Sequence, residues 1–361
     1  MKKHKAENKM DQEKIIKKDR GLSKQDKVHK VIKTVLISLA ITVVIYFGIA
    51  LTLVFTDAPV ERPSASGGGV GFSEAIEADY STLPNTITYT ARDGSNLPYR
   101  LYDGGPDRLI VLVHGSGWHG MQFHPMASKL AESGLGTVVV PDLRGHGENP
   151  ERRGDVDYIG QLEDDLADLI QAMQAQRDYG KVVLGGHSSG GGLVVRFAGG
   201  EHGDIADEFI LMAPFLKYDA PTTKLNSGGW AHPATRRIVG LSMLNNVGIT
   251  WLNNLPVISF AMSDEVLDGP YGHTATTSYS YRLNTAFAPR SNYEADLAAM
   301  KQPFLLIAGA DDEAFLVREY QPIISAQTDS GEYQILDGIS HIGITTDPRA
   351  IDVIARWIEA H

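Results

Sequence analysis

Two hydrophobic periods alternate along most of this chain. The run Arg108–Val113 is apolar almost without interruption, which is typical of a strand buried on both faces of a mostly parallel sheet. Between residues 158 and 176 the apolar side chains instead recur about once per helical turn, as at Leu162 and Leu166. Because segments of these two kinds alternate from residue 86 onwards, the pattern predicts an α/β fold with a parallel sheet.

The predicted elements are interrupted once. Strands are expected at 86–92, 97–102, 108–113, 136–140, 182–184, 208–212, 303–308 and 332–336. Helices are expected at 121–132, 158–176, 193–198, 292–300, 319–327 and 349–359. After the sixth strand the alternation stops, and the stretch from about 215 to 290 is too long for an ordinary loop. This stretch predicts an inserted cap of short helices.

One further apolar run precedes the alternating part. Residues 34–56 carry no charge, and as a helix they would measure about 35 Å, enough to cross a hydrocarbon core of about 30 Å. A buried core helix is one alternative, but the run is apolar all round. A cleavable signal peptide is another, but its apolar part is usually shorter and no A-x-A site follows here. The run therefore predicts an uncleaved transmembrane helix.

Charge differs sharply on the two sides of this run. Residues 1–33 hold 12 Lys and Arg against 5 Asp and Glu, and since the whole chain has a net charge of −11, the remainder carries −18. A basic flank predicts a cytoplasmic tail at 1–33 and a globular part outside the cytoplasm, at the cell membrane. The acidic globular part argues against nucleic acid as a partner. Residues 57–85, which begin rich in Pro, Gly and Ser, are expected to be a linker to a domain at 86–361.

A strand, a tight turn and a helix meet at Gly186-His-Ser-Ser-Gly190. This is the G-x-S-x-G pattern of a nucleophile elbow, with Ser188 at the strained corner. In a chain with 37 glycines, the alternative is an ordinary glycine-rich turn, and the motif alone does not decide between them. The decision depends on residues elsewhere in the chain.

Four other motifs accompany the elbow in a fixed order. They are His114-Gly-Ser-Gly117, Asp142-x-Arg-Gly-His-Gly147, Gly309-Ala-Asp-Asp312 and Gly338-Ile-Ser-His341. With this order and spacing, residues 86–361 resemble the α/β-hydrolase superfamily, and within it the lysophospholipase and monoacylglycerol-lipase-like serine hydrolases. The resemblance implies a mostly parallel sheet flanked by helices and a cap after the sixth strand. It also implies a serine hydrolase that uses no cofactor or metal.

Serine chemistry needs a base to remove the hydroxyl proton and a carboxylate to orient that base. In this fold the chain order is serine, acid, histidine. The resemblance therefore assigns Ser188, Asp312 and His341 as the catalytic residues. Of the histidines beyond Asp312, the other is His361, the last residue of the final helix.

Three further carboxylates are alternatives for the acid. Asp311 and Glu313 adjoin Asp312. The non-catalytic interpretation is that these three neighbouring residues, 311–313, form an acidic loop in solvent. Asp219 is a weaker candidate after the preceding core strand.

An oxyanion hole needs two N–H donors aimed at the developing charge. One is expected from Ser189, the residue after the nucleophile. The resemblance places the other at Ser116, whose hydroxyl would add a third donor or face solvent.

Other residues have simpler interpretations. His114, His119 and His124 lie close together, but they lack a carboxylate or cysteine partner, so no metal site is predicted. Trp118 and Trp230 are candidates for the pocket wall and equally for the core. Because the chain has no cysteine, disulfides and a cysteine nucleophile are excluded.

The expected substrate is a small-molecule or lipid ester near the membrane, such as a lysophospholipid or a monoacylglycerol. An aminopeptidase of the prolyl-aminopeptidase-like branch is one alternative, in which Asp264 or Glu265 of the cap would hold the substrate amine. A carboxylesterase for soluble esters is another. A non-catalytic extracytoplasmic binding module on the same fold is the alternative outside enzymes, although such a module need not retain a triad.

Overall fold

The computed structural model describes residues 24–63 and 69–361. The strands are β1 Ile87–Thr90, β2 Asn96–Tyr102, β3 Arg108–Val113, β4 Thr137–Pro141, β5 Lys181–His187, β6 Glu208–Met212, β7 Ala231–Pro233, β8 Pro256–Phe260, β9 Ser278–Ser280, β10 Phe304–Gly309 and β11 Gly331–Leu336. The α-helices are α1 Lys24–Phe55, α2 Ser73–Ile76, α3 His124–Glu132, α4 Gln161–Gln176, α5 Ser189–Ala198, α6 Asn226–Gly229, α7 Thr235–Asn245, α8 Asp264–Leu267, α9 Tyr281–Ala286, α10 Tyr293–Ala299, α11 Tyr320–Ser325 and α12 Pro348–Ala360.

Eight strands form one sheet in the order β1-β2-β4-β3-β5-β6-β10-β11. The first two pairings, β1 with β2 and β2 with β4, are antiparallel, and every later pairing is parallel. The fold is therefore the expected α/β-hydrolase fold, with a mostly parallel sheet and flanking helices. The carboxyl ends of β3, β5 and β10 lie at one edge of this sheet.

Each face of the sheet is covered by its own hydrophobic core. Along β3, Leu109, Val111 and Val113 belong to one core, while Ile110 and Leu112 belong to the other. This alternation follows from the two-residue period of a strand, and it explains why the run is apolar at successive positions. Helices α4 and α5 cover the first face, and α3 and α12 cover the second.

Helix boundaries differ from the expected ones by a few residues. The helix expected at 121–132 begins as a 3₁₀ turn, Gly120–Phe123, and becomes α3 at His124 with Pro125 in its first turn. The helix expected at 158–176 begins at Gln161, because Gly160 has a φ of 105° and cannot be part of a right-handed helix.

The stretch between β6 and α10 contains a small second sheet. Strands β7, β8 and β9 pair antiparallel in the order β7-β8-β9. We expected short helices here, and helices α7 and α9 are present, but the sheet was not predicted. β7 and β9 have only three residues each, too few to show a strand period.

The N-terminal helix α1 extends beyond the apolar run and begins at Lys24. It is long and apolar enough to cross a membrane by length and composition. Most of its side chains are exposed, but Ala50 and Val54 are fully buried against α7. Residues 1–23 of the expected basic tail lie outside the described residues.

The expected linker is shorter than the sequence suggested. Val70, Phe72 and Ala75 are buried in the core of the domain, and α2 follows them directly. Phe72 stacks on Trp118, with ring centroids 5.2 Å apart. Buried apolar side chains, of which Phe72 is the largest, therefore attach a segment whose composition resembles a tether.

Helix α12 provides a test of how the second core stabilises the fold. Ile354 is fully buried in that core. Ile354→Ala should lower the free energy of unfolding by about 2–4 kcal/mol, because it leaves a cavity between α12 and the sheet. Denaturant titration of the full chain in detergent measures this change.

Arg356, exposed on the same helix, supplies the matched control. Arg356→Ala should change the free energy of unfolding by no more than about 0.5 kcal/mol. Equal effects of the two substitutions would contradict the described packing of α12.

Candidate active site

Ser188 occupies the corner between β5 and α5. Its φ is 55° and its ψ is −121°, a conformation that costs a residue with a side chain roughly 1–3 kcal/mol. A Cβ on Gly186 would lie 2.3 Å from the Gly190 carbonyl oxygen, and a Cβ on Gly190 would lie 2.3 Å from the Val113 carbonyl oxygen. Both glycines are therefore required by close backbone contact, and the motif is an elbow rather than a free glycine-rich turn.

Asp312 and His341 form a buried pair on the loops after β10 and β11. His341 Nδ1 donates to Asp312 Oδ2 at 2.8 Å. The other carboxylate oxygen of Asp312 accepts the main-chain N–H groups of Ala314 and Phe315, each at 2.8 Å. With both oxygens engaged, the carboxylate is held in one orientation, and the Nε2 atom of His341 remains available.

Ser188 and His341 line the same cavity. The cavity is small, with a volume of about 60 Å³. Among the described residues the Ser188 hydroxyl has no hydrogen-bond partner, and no bond joins it to His341; in unliganded sites such bonds often tighten only when substrate is present. Most of the remaining wall is apolar and comes from the cap and neighbouring loops: Phe215, Trp230, Ala231, Ile258, Phe260, Phe287, Ala288, Ala314 and Phe315.

The loop after β3 passes directly over the serine. A Cβ on Gly115 would lie 3.1 Å from the Ser188 Cβ, so the main chain of Ser116 lies beside the nucleophile position. Ser116 and Ser189 both line the cavity. The Ser116 hydroxyl accepts a hydrogen bond from Trp230 Nε1 at 3.1 Å and is partly buried, so a third donor at this position stays a prediction.

A tyrosine of the cap is bonded to this loop, which the sequence did not predict. The Tyr279 hydroxyl accepts the Gly117 N–H at 2.8 Å and donates to His146 Nε2 at 2.6 Å. Burial lowers the pKa of His146 well below its usual value, so the ring is neutral and can accept. Tyr279 thus joins the cap to the loops that carry Gly117 and His146. These residues are far from Tyr279 in sequence, so no local sequence pattern predicts the contact.

His187, within the elbow, supports the His341 loop. Its Nε2 atom donates to the His341 carbonyl oxygen at 2.9 Å, and its Nδ1 atom lies 3.1 Å from Gln122 Nε2 and accepts from it. Burial, followed by the neighbouring His341, lowers the pKa of His187 well below 6.5. Neither His187 nor Gln122 was identified from the sequence.

The alternative acids lie elsewhere. Asp311 is exposed, and Asp219 is half exposed and paired with Lys217 at 3.3 Å. Glu313 accepts the main-chain N–H of His341 at 2.8 Å and so braces the loop. His361 lies against Trp357, remote from the cavity.

The remaining candidates lie outside the triad, and His119 Nδ1 is 3.4 Å from Asp142 Oδ1. Trp118 is buried under Phe72 and lies outside the cavity wall, whereas Trp230 lines it. His114 is held by the Gly115 carbonyl and the Leu143 N–H. Within residues 24–63 and 69–361, no group of three or more His, Cys, Asp or Glu side chains is arranged to hold a metal ion.

Comparison with known proteins identifies the family of this chain. Residues 104–348 match the family model described as "Serine aminopeptidase, S33". Human monoglyceride lipase is 24% identical over 279 residues, which cover 73% of this chain and 84% of the lipase.

Two solved structures share the fold. A soluble variant of monoglyceride lipase from Saccharomyces cerevisiae, in complex with a substrate analogue, has a TM-score of 0.58 at 15% identity and covers 79% of this chain and 97% of its own. A membrane phospholipase A described as a bacterial virulence factor has a TM-score of 0.55 at 16% identity and covers 92% and 98%. The chain belongs to the serine aminopeptidase family of the α/β-hydrolase fold and is a serine hydrolase.

Proposed function

We propose that this protein is a membrane-anchored carboxylic-ester hydrolase in which Ser188, His341 and Asp312 form the catalytic triad. The observation that supports this most directly is the buried Asp312–His341 hydrogen bond beside the strained serine, on the wall of one cavity. His341 Nε2 takes the Ser188 proton as Oγ attacks the ester carbonyl carbon. The same proton is then delivered to the leaving alkoxide, and water hydrolyses the acyl-enzyme by the reverse sequence.

The negative charge that develops on the carbonyl oxygen needs fixed donors. The main-chain N–H groups of Ser116 and Ser189 are the donors proposed here. Ser189 is the first residue of α5, so its N–H has no partner within the helix and lies at the positive end of the helix dipole. Trp230 and Tyr279 fix the loop that carries the Ser116 N–H.

The neutral ring of His187 beside His341 favours the role of His341 as a base. The His187 and His341 rings have centroids 4.5 Å apart, so a positive charge on His187 would oppose formation of the His341 imidazolium. The hydrogen bonds of His187 require one donor and one acceptor nitrogen, which is the neutral ring. A neutral His187 removes this repulsion.

The chemistry of the cavity favours an ester with an apolar acyl group. Within the described part of the chain, no carboxylate lines the cavity, although an aminopeptidase needs one for the substrate amine. Asp264 and Glu265 are exposed, and Asp264 lines a separate cavity with Glu61 and Arg62. We therefore favour a lysophospholipid or monoacylglycerol over an aminoacyl amide, in keeping with the named substrate classes of the lipase relatives.

The apolar helix α1 is the proposed membrane anchor, with its basic end in the cytoplasm and residues 57–361 outside. A phospholipase whose name places it in a membrane shares the fold over 92% of this chain, which supports an anchor more than a cleaved signal.

Substitutions in the proposed triad should remove the nucleophile or lower ester turnover while leaving the fold intact. Ser188→Ala should eliminate covalent labelling of the full chain by a fluorophosphonate probe, and Asp312→Asn should reduce ester turnover about 10⁴-fold, because His341 loses its orienting carboxylate. Gel fluorescence and kcat for a short-chain p-nitrophenyl ester measure the two effects.

Adjacent residues provide matched controls. Ser189→Ala keeps the main-chain donor and should label like the unsubstituted protein, and Asp311→Asn should retain turnover. Persistent labelling of Ser188→Ala would place the nucleophile elsewhere, and equal losses in both aspartate variants would contradict the choice of Asp312.

The substrate class can be separated by direct comparison. With long-chain monoacylglycerol, lysophospholipid, short p-nitrophenyl ester and aminoacyl amide as substrates, the value of kcat/KM should be highest for one of the two lipid esters. The apolar wall around Phe260 and Phe287 contributes the binding energy of the acyl chain. Ser188→Ala provides the blank, and a preference for the aminoacyl amide would establish the peptidase alternative.

Acid should destabilise the folded protein through its buried histidines. Burial lowers the pKa of His114 to about 4 and that of His146 and His187 well below 6.5. Below pH 6.5 the unfolded chain binds protons that the folded chain does not, so each such histidine removes about 1.4 kcal/mol of stability per pH unit as the pH falls towards 4. Thermal unfolding at pH 7, 6 and 5 should show the decline.

The variant His146→Gln removes one of these titrating rings. Its stability should fall less steeply between pH 7 and pH 5 than that of the unsubstituted protein. An unchanged slope would show that His146 is not held neutral in the folded state.

A further inference from the structure

Helix α1 and the cap helix α7 are packed side by side. They run antiparallel: the Tyr46 hydroxyl donates to the Met243 carbonyl oxygen at 2.6 Å, and Arg237 Nε donates to the Val54 carbonyl oxygen at 3.0 Å. A Cβ on Gly240 would lie 2.6 Å from the Ala50 carbonyl oxygen. Because only glycine allows this approach, the two helices make one rigid unit over the last third of α1.

This packing fixes the depth of α7 relative to a bilayer. A hydrocarbon core of about 30 Å requires about 20 helical residues, and counted from Lys33, the last charge before the apolar run, these reach about Leu53. Tyr46 then lies about 10 Å inside the outer boundary of the core, and Met243 lies beside it. A tilted helix needs more residues to cross and would place both residues deeper.

The surface around α7 suits such a position. We call residues 235–254, which comprise α7 and the turns that follow it, the cap foot. Val239, Val247 and Trp251 of the cap foot are 47%, 51% and 73% exposed. From residue 220 to residue 263 the sequence has no Asp or Glu, although the chain as a whole is acidic, so no carboxylate would need to leave water.

Some polar side chains of the cap foot are paired within the protein, whereas Asn246, Thr250 and Asn254 are exposed. Asn245 and Asn253 exchange two amide hydrogen bonds, at 2.7 and 2.9 Å, and Ser242 donates to the Ile238 carbonyl oxygen at 2.8 Å. Such internal pairing lowers the cost of moving these groups out of water. The arginines are at the other end of α7, where Arg236 donates to the Thr56 carbonyl oxygen at 3.1 Å, near the expected level of lipid headgroups.

We propose that the cap foot is a second membrane contact, immersed in the leaflet at the C-terminal end of α1, with Val239, Val247 and Trp251 against lipid acyl chains. The inference rests on α1 being the membrane anchor proposed above. Its occupant is lipid, because the docked anchor leaves the cap foot at the depth of the hydrocarbon.

The contact leads towards the active-site cavity. The next strand after the cap foot is β8, and its Ile258 both packs against the cluster around Ala50 and Val54 and lines the cavity with Ser188. An ester held in the leaflet would therefore enter the active-site cavity beside Ile258, on the wall that packs against the cap foot.

Because the natural chain has no cysteine, a single introduced cysteine can carry an environment-sensitive dye. Val247→Cys and Trp251→Cys of the full chain are labelled and reconstituted in phosphatidylcholine vesicles with or without a lipid that bears a nitroxide on its acyl chain. The controls are Ile87→Cys and Ile335→Cys, at positions 46% and 36% exposed. They lie on β1 and β11, the two opposite edges of the main sheet.

Dye at 247 and 251 should emit at shorter wavelength and lose about half of its intensity to the nitroxide lipid, as expected for a position about 10 Å inside the outer boundary of the hydrocarbon. Dye at 87 and 335 should emit as in water. Flotation separates the two proposals: protein that floats with the vesicles but keeps a water-like emission at 247 and 251 overturns the cap-foot contact alone. Protein that does not float overturns the anchor and the contact together.

A second copy of the chain is the competing occupant. It would shift the emission of the dye without quenching by the nitroxide lipid, and the shift would depend on protein density in the vesicle. That result would also overturn the lipid contact.

Discussion

The geometry of the site depends on one close backbone contact, between the start of α5 and the end of β3. Glycine at position 190 lets the helix approach the Val113 carbonyl, where a Cβ would lie 2.3 Å away. At that separation the following loop crosses Ser188, and Ser116 and Ser189 line the same cavity. The strain at Ser188 is offset by main-chain bonds, including Ser188 N–H to the Met212 carbonyl and Phe215 N–H to the Ser188 carbonyl, both 2.9 Å. Each such bond contributes about 1 kcal/mol, enough to hold the elbow.

Burial of uncharged rings is the second condition on the site. His114, His146 and His187 are all buried with depressed pKa values, and each uses one nitrogen as donor and one as acceptor. A neutral imidazole is well suited to joining loops in a low dielectric, since it satisfies a carbonyl and a donor at once without the cost of a buried charge. Because His187 is neutral, the charged group bonded to His341 is the Asp312 carboxylate, and no cation lies against the His341 ring from His187.

The sequence was informative where a residue's role is local. The strand–turn–helix at Ser188 and the sheet strands could be predicted, because hydrophobic period and glycine position are properties of neighbouring residues. The acid and the histidine were placed by resemblance, and the structure pairs Asp312 with His341. Tyr279 and Phe72 were missed, because their contacts join segments far apart in the chain. The cap sheet was missed because its outer strands are too short to show a period, and Phe72 is a single aromatic residue in a segment that otherwise has the composition of a linker.

Two routes connect the N-terminal helix to the reacting serine. One is packing: Ala50 and Val54 lie against the cluster that includes Ile258, and Ile258 lines the cavity. The other is the chain itself, which returns from α1 to place Val70 and Phe72 at a smaller cavity shared with Ser188 and His341. Phe72 there lies between Trp118 and Trp230, with ring centroids 5.2 and 5.3 Å away. Since packed interiors transmit strain rather than absorb it, removal of residues 1–85 would unpack both walls of the site. Helix α1 and the segment that holds Val70 and Phe72 therefore support the walls of both cavities.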